Sequence, residues 1–404
     1  MLYDVAIVGA GPAGSTAAIF LSKKGFKVAL IDKSDFPRDK PCGGGLPSHV
    51  LKRFSNIISK DLIESHSYGG TTFSPSLKYK IEYTTNKPFT SMVLRKKFDY
   101  RLVQKAIENG ADFKPGKKVN DIKITNDQGT LIFDDNTKIG TRIIIGADGI
   151  WSTVAKKTGL RKRDIKIGFS VVEEYEVDEE IMDKYFGKRR LGYIHSKFQN
   201  VTGYGWVFPK KKHLNIGIGV IEYNPKNKEF NNLKEIYGNY LSVLKKQKLI
   251  PDNIKIKKIK GGALPVCPLD KTYSNRVLLI GDAGGFINPT SGEGIYYAMA
   301  SAEIAAETIE ESLNCQDTSE KFLSNYQKKW KKDFGKELRL LYWVSKIQKK
   351  SKNSEKNLIL LYKDEKLRQL LMESMAGNLD IYQYRWKILR RFIYDSIKYK
   401  LHKF

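Results

Sequence analysis

Only three cysteines occur in 404 residues, Cys42, Cys267 and Cys315. An odd number at such wide spacing builds neither a disulfide framework nor a structural zinc site, so a reducing compartment and no bound metal are expected. Long apolar runs are missing too. No stretch approaches the roughly 18 apolar residues of a spanning helix, and Met1-Leu2-Tyr3-Asp4 runs straight into a strand-like segment without the basic and apolar regions of a signal peptide. These absences predict a cytoplasmic protein that does not cross a membrane. Acidic residues are the scarcer charge, 44 against 71 Lys and Arg, which leaves a formal +27. Such a balance favours phosphate polyanions or an anionic membrane face as partners. A Lys excess of this kind also fits a bias of the whole proteome, so charge alone names no partner. There is no helix-turn-helix or RNA-binding signature, and no nucleic-acid partner is expected.

What is present is enough apolar material, 41% hydrophobic and 11% aromatic, to exclude a disordered chain. The length calls for two or three packed parts. Residues 3–8 and 27–32 read as strands around a small-residue helix at 15–24, a βαβ opening. Leu131–Phe133, Ile143–Ile145 and Arg276–Ile280 read as further strands, with a helix from about Gly294 to Leu313. Residues 166–222 change to β-branched and aromatic residues punctuated by Gly, a sheet packed on one face. From 320 onward the pattern is helical, and residues 331–404 hold 19 Lys and Arg against 8 Asp and Glu.

Gly9-Ala-Gly11-Pro-Ala-Gly14 lies between the first strand and helix, and Asp32 closes the second strand. Gly9 makes the tight turn and Gly11 lets the backbone approach a pyrophosphate. Gly14 lets helix and strand pack closely, the helix N-terminus holds the anion, and Asp32 accepts ribose hydroxyls. With both strands, the helix and the acid in place, an adenine dinucleotide is expected. Two later segments bear on whether it is FAD or NAD: Ile143 to Ser152, containing Gly146-Ala-Asp148-Gly149, and Arg276 to Ile295, containing Gly281-Asp282-Ala-Gly and Gly292-Glu293-Gly294-Ile295. A strand-end acid followed by Gly-rich backbone and a helix N-terminus suits a long hydroxylated chain and an anionic ring edge. Asp282 is the candidate for ribityl hydroxyls, and the Gly294 and Ile295 amides for the flavin edge that gains negative charge on reduction.

Those three motifs, in that order over roughly residues 1–300, resemble the flavoprotein group-A hydroxylase superfamily. The resemblance implies FAD in an α/β, doubly wound Rossmann-type domain with an inserted substrate sheet and a helical C-terminal region, similar to p-hydroxybenzoate hydroxylase. It implies an FAD domain of residues 1–65, 95–165 and 265–330, a sheet domain of 66–94 and 166–264, and a basic helical region 331–404. It also implies cofactor contacts at Ala13, Asp32, Arg95, Val119 (through its backbone) and Asp282, with the Arg95 fork suited to a pyrophosphate.

A narrower likeness follows from two more segments. The loop Phe36-Pro-Arg38-Asp-Lys-Pro41-Cys42-Gly43-Gly44-Gly45-Leu46 is similar to the Pro- and Cys-Gly-Gly-bearing segment of geranylgeranyl reductases, which saturate isoprenoid double bonds. Its glycines let backbone lie against a ring, placing Cys42, Gly43 and Gly44 at the cofactor with the Cys42 thiol as candidate proton relay or shaping group. Tyr204-Gly-Trp206-Val-Phe208-Pro209-Lys210, then Asn215-Ile-Gly217-Ile-Gly219, is similar to that family's aromatic and Asn-x-Gly-x-Gly pair. Alternation on a strand puts Tyr204, Trp206 and Phe208 on one side, an apolar wall suited to a polyprenyl tail. His49 and Glu293 are weaker candidates near the ring. His195 and the pairs Glu173-Glu174 and Glu179-Glu180 read as surface groups, and Lys210-Lys-Lys212 as a solvated turn or a cation patch for a lipid phosphate.

The expectation is thus an FAD-dependent reductase of geranylgeranyl chains on archaeal-type glycerolipids, at the inner membrane face. Without a second glycine fingerprint, electrons are expected from a transient donor, NAD(P)H or a ferredoxin. The alternatives are a flavin monooxygenase or halogenase on the same fold, or a flavin-bearing binding protein without catalysis.

Overall fold

The computed structural model describes residues 2–162, 165–221, 233–350 and 354–401. Its first sheet grows from Leu2–Val8, which pairs in parallel with Val28–Ile31 on one side and Lys138–Gly146 on the other. Asp112–Lys114 extends it beyond Val28–Ile31, and Val277–Leu279 beyond Lys138–Gly146. Tyr273–Ser274 closes that edge antiparallel. Strand alternation sorts the apolar residues onto two faces. Val5, Ile7, Leu30, Ile143 and Ile145 face a core shared with helices Pro12–Lys23, Arg95–Glu108 and Ile295–Asn314. Ala6, Val8, Ile31 and Ile144 face the hairpin Val119–Ile124 and Gly129–Phe133. Helices therefore cover one face of the sheet, and a β-hairpin with the short helix Thr153–Lys157 covers the other.

The second sheet has seven strands in the order Lys260–Pro265, Ile167–Glu176, His213–Val220, Gly203–Pro209, Gly192–Ser196, Gly69–Phe73, Lys80–Thr84. Neighbours are antiparallel except Gly192–Ser196 beside Gly69–Phe73. One face of this sheet carries Val171, Tyr175, Val207, Ile216 and Ile218, packed under helices Glu179–Phe186 and Leu233–Lys246. The opposite face carries the aromatic row and turns toward the loop around Cys42. A small sheet, Gly45–Pro47, Thr90–Met92 and Ser65–Ser67, joins the two.

After Ile295–Asn314 the chain is helical. Glu320–Trp330 runs through a wide turn into Lys336–Lys350, followed by Ser354–Lys363, Glu365–Met375 and Ile381–Leu401. Trp330 and Phe334 pack against Phe286, and so anchor the start of this region to the FAD-type motif. Its middle docks in two places: Ser48 Oγ, just beyond the glycine loop, donates to the Ala376 carbonyl at 2.7 Å, and Tyr83 Oη, on the edge strand Lys80–Thr84 of the second sheet, donates to Glu373 at 2.6 Å. Among the described residues no helix is long and apolar enough to cross a membrane.

Candidate active site

The glycine turn is built by exclusion. Gly9 has φ +104°, and a Cβ on it would lie 2.3 Å from the Ala147 carbonyl oxygen. A Cβ on Gly14 would lie 1.8 Å from the Gly9 carbonyl oxygen, so helix and turn meet only because both positions are bare. Gly11 is different: its missing Cβ meets only a terminal nitrogen of Arg38, at 3.5 Å. The helix that starts there has Gly11 as its cap and no side chain bonded to its first amides. Open N–H groups beside a guanidinium form a cradle for an anion, so the turn fits the pyrophosphate of FAD.

Asp32 is buried and braces the turn, accepting from the Ala10 amide at 2.8 Å and the Ser34 amide at 2.9 Å. Carboxylate lone pairs remain for ribose hydroxyls. Val119 begins the hairpin in the same apolar cluster as Val8 and Ile31. On the other side, Ala13 touches the Gly281 turn: a Cβ on Gly281 would lie 2.9 Å from the Ala13 Cβ. The Asp282 carboxylate stands over the end of helix Ile295–Asn314, 3.6 Å from where a Gly294 Cβ would be. The two motifs, 268 positions apart from Ala13 to Gly281, are thus one surface.

Arg95 lies buried, and its fork grips Asp99 at 2.7 and 2.8 Å. Burial opposes its charge, yet Asp99, and the Cys42 sulfur beside it, hold its pKa above the ordinary range. Arg38 reaches the same Asp99 at 3.2 Å and is the guanidinium nearest Gly11. Sequence reasoning missed Arg38 and Asp99. Arg38 sits in a loop with no periodicity, and only the fold brings Asp99 to it.

The Cys42–Gly45 loop lies between this surface and the second sheet. Gly44 has φ +73°, its carbonyl accepts from the Val93 amide at 2.8 Å, and its own amide points at the Cys42 sulfur at 3.4 Å. Gly43 lies under Phe208, whose ring would be 2.9 Å from a Cβ there. Tyr204, Trp206 and Phe208 stand in a row, with ring centroids 5.8 and 6.2 Å apart. Tyr204 Oη donates to the Ser291 carbonyl, so the row reaches from the thiol loop to the Gly292–Gly294 segment. Burial, and then Cys42, raises the Tyr204 phenol above its usual pKa.

His49 turns away from the aromatic row. It packs edge-on against Tyr296 at 4.1 Å, points at the Ala376 carbonyl, and is lowered to about 4 by burial. Glu293 accepts from the Tyr296 amide at 2.7 Å and caps the helix; burial pushes it up to about 7.

Several groups expected at the surface are inside. His195 is fully buried, stacked on Phe73 at 4.4 Å and bonded to Tyr240 Oη at 2.8 Å. Glu173 is buried and accepts from Tyr175 Oη and from the Lys257 and Lys258 amides. Lys210 is neither a solvated turn nor a surface cation. It is fully buried, and its ammonium donates to Glu174 at 2.8 Å. Each was misplaced because at least one of its partners comes from another part of the chain: Tyr240 for His195, the Lys257 and Lys258 amides for Glu173, Glu174 for Lys210. No group of three or more His, Cys, Asp or Glu side chains suited to a metal occurs among the described residues.

The FAD binding domain family matches residues 2–332. A digeranylgeranylglycerophospholipid reductase of Methanocaldococcus jannaschii is 32% identical over 340 residues, 82% of each chain. Its namesake in Methanococcus vannielii is 31% identical, covering 88% of this chain and 89% of its own. The chain belongs to the geranylgeranyl reductase family of FAD-binding flavoenzymes. Among solved structures, a geranylgeranyl bacteriochlorophyll reductase-like protein of Thermoplasma acidophilum superposes with a TM-score of 0.79 at 23% identity, covering 90% of this chain and 92% of its own. A flavin-dependent brominase gives 0.73 at 19% over the whole of both chains, so this reductase family and halogenases share the fold.

Proposed function

We propose that this protein is an FAD-dependent reductase that saturates double bonds in the geranylgeranyl chains of archaeal-type membrane glycerolipids. The observation that carries this reading is the apposition of the Cys42 loop and the Tyr204-Trp206-Phe208 row beside the two glycine motifs. It is supported by the names of relatives that are about one-third identical over most of their length. Bound and reduced, FAD supplies the hydride for one alkene carbon and is left oxidised, while a proton goes to the neighbouring carbon.

The protein's own groups do the rest. The Pro12–Lys23 helix N-terminus and Arg38 would hold the pyrophosphate, Asp32 the ribose and Asp282 the ribityl chain. The amides of Gly294 and Ile295 would serve the ring edge that gains negative charge on reduction. Gly43 and Gly44 would let the loop backbone approach the ring. The aromatic row excludes water and lays a chain with nothing to hydrogen-bond across that face. The Cys42 thiol, beside Arg95 and Tyr204, is the candidate proton relay. Electrons come from a transient donor, NAD(P)H or a ferredoxin.

A lipid substrate calls for contact with a membrane, and helix Ile381–Leu401 offers a surface for it. Trp386, Leu389 and Ile393 recur at helical spacing and are exposed, with Lys387 and Arg390 beside them. Apolar groups flanked by cations suit peripheral docking on an anionic leaflet.

The test is anaerobic incubation of dithionite-reduced, FAD-loaded protein with geranylgeranyl glycerolipids, read by mass spectrometry. A gain of about two mass units per bond supports the reading. No gain, or oxygen-dependent hydroxylation or halogenation instead, overturns it.

A further inference from the structure

Asn215 has no part in the chemistry above, yet its amide bonds both to the aromatic row and to the Cys42 loop. Its Oδ1 accepts from the Trp206 indole N–H at 2.8 Å, and its Nδ2 donates to the Cys42 carbonyl at 3.0 Å and to Glu174 at 3.1 Å. The residue is 1% exposed. The arrangement admits one orientation of the amide: an indole N–H only donates, whereas a backbone carbonyl and a carboxylate only accept. Sheet register sets it up, because Asn215 lies opposite Phe208 on one neighbouring strand and opposite Glu174 on the other.

Lys210 completes the network from beneath. Its ammonium is fully buried and donates to the same Glu174 oxygen at 2.8 Å, and it stands 3.0 Å from where a Gly44 Cβ would be. The Lys210 ammonium and the Asn215 amide both donate to one Glu174 oxygen, and an accepting Glu174 keeps the Asn215 N–H groups turned toward itself and Cys42. The chain of contacts therefore runs from Lys210 through Glu174 and Asn215 to the thiol loop on one branch and to the indole on the other.

We propose that Asn215 is a positioning residue that clamps the Cys42 loop to the aromatic row and thereby fixes where the loop stands against the slot that receives the prenyl chain. That a prenyl chain occupies the slot rests on the reductase reading; the clamp itself does not. Asn215→Asp keeps the shape and an acceptor for Trp206 but turns oxygen toward the Cys42 carbonyl and Glu174, while Asn215→Leu removes all three bonds.

Both variants are prepared with FAD, and the rate at which iodoacetamide labels Cys42 is followed by peptide mass mapping, with Cys267 and Cys315 as internal references. A freed loop labels about tenfold faster at Cys42, the size expected for losing a buried hydrogen bond, with the two reference thiols unchanged. Turnover on geranylgeranyl lipid should show kcat down by a similar factor and KM nearly constant, because the loop is misplaced rather than the lipid unbound. Wild-type labelling of Cys42 in either folded, flavin-loaded variant overturns the clamp. If the wild-type protein itself reduces no lipid, the reductase reading falls, and the labelling rates alone still decide the clamp.

Discussion

Trp206 lies flat on Gly217: a Cβ at that glycine would come within 2.1 Å of the indole ring, and one at Gly219 within 3.5 Å. The two glycines alternate with Ile216 and Ile218, which face the helix-covered side. The Asn-x-Gly-x-Gly pattern is therefore the bed of one tryptophan, with Asn215 taking its N–H and the glycines making room for its ring.

Gly217→Ala should expel the indole from that bed. Overpacking of this kind costs about 1–3 kcal/mol, and the lifted ring would narrow the slot. The expected result is a lower urea midpoint, retained FAD, and a raised KM for long prenyl chains with less effect on short ones. An unchanged midpoint and KM would show that the sheet relaxes instead.

Gly14→Val tests the cofactor cradle independently of the substrate. Its Cβ has the Gly9 carbonyl oxygen 1.8 Å away, which neither backbone segment can vacate without parting the helix from the turn. The variant should purify with little or no flavin absorbance, whereas the Gly217 variant stays yellow. Retention of full flavin content by Gly14→Val would mean that the cofactor does not use this turn.

How much of this was legible in the sequence follows from where each group's partner sits. Gly9, Gly11, Gly14 and Asp32 meet in one turn, as their spacing implies, because their neighbours are close in sequence and belong to one βαβ unit. The alternation that puts Tyr204, Trp206 and Phe208 on one side is equally local. Lys210, Glu173 and His195 look like surface groups because charge or polarity alone argues exposure, and the atoms that satisfy them lie on other elements: Glu174, the Lys257 amide, Tyr240. Arg38 over the glycine turn is of the same kind, since Asp99, which holds it, lies 61 positions away.

His195 should make the fold acid-sensitive. Burial lowers it to about 4 in the folded chain, against a usual value of about 6.5 once unfolded. Between those values the unfolded chain binds more protons, so stability rises with pH across the window and is lost as pH falls through it. His49, also lowered to about 4, acts in the same direction. Glu293 and Glu337, each pushed up to about 7 by burial, act oppositely: what they contribute is present at low pH and lost as pH rises toward 7. Wild type and His195→Gln are therefore compared by urea midpoint between pH 6.5 and 4. The variant should show the shallower decline on acidification, and parallel curves would remove His195 as a source of acid sensitivity.

Membrane docking through Ile381–Leu401 predicts a split between apolar and charged changes. Trp386→Ser with Ile393→Ser should weaken sedimentation with anionic vesicles at every salt concentration. Lys387→Gln with Arg390→Gln should weaken it mainly at low salt, where the surface attraction is worth about 1 kcal/mol per cation. Turnover of a short, water-soluble prenyl substrate should stay unchanged in all of these variants. Equal vesicle binding by wild type and both double variants would exclude this helix as the docking surface.

Cys42 is the sharpest test of the chemistry, because its thiol touches the loop glycine amide while Arg95 and Tyr204 flank it. Positioned proton transfer contributes about 10²–10⁴-fold. If Cys42 hands the proton to the alkene, Cys42→Ala should bind FAD normally, accept its two electrons from dithionite, and then saturate lipid slower by about that factor. If the thiol only shapes the loop, Cys42→Ala should lose less than about tenfold, the scale of one lost packing or hydrogen-bond contact. Single-turnover reoxidation of the reduced flavin by lipid separates the two, since it reads the bond-forming step without contribution from the electron donor. Reoxidation at the wild-type rate would move the proton source elsewhere, and Tyr204, raised in pKa and adjacent to Cys42, would be the next side chain to replace.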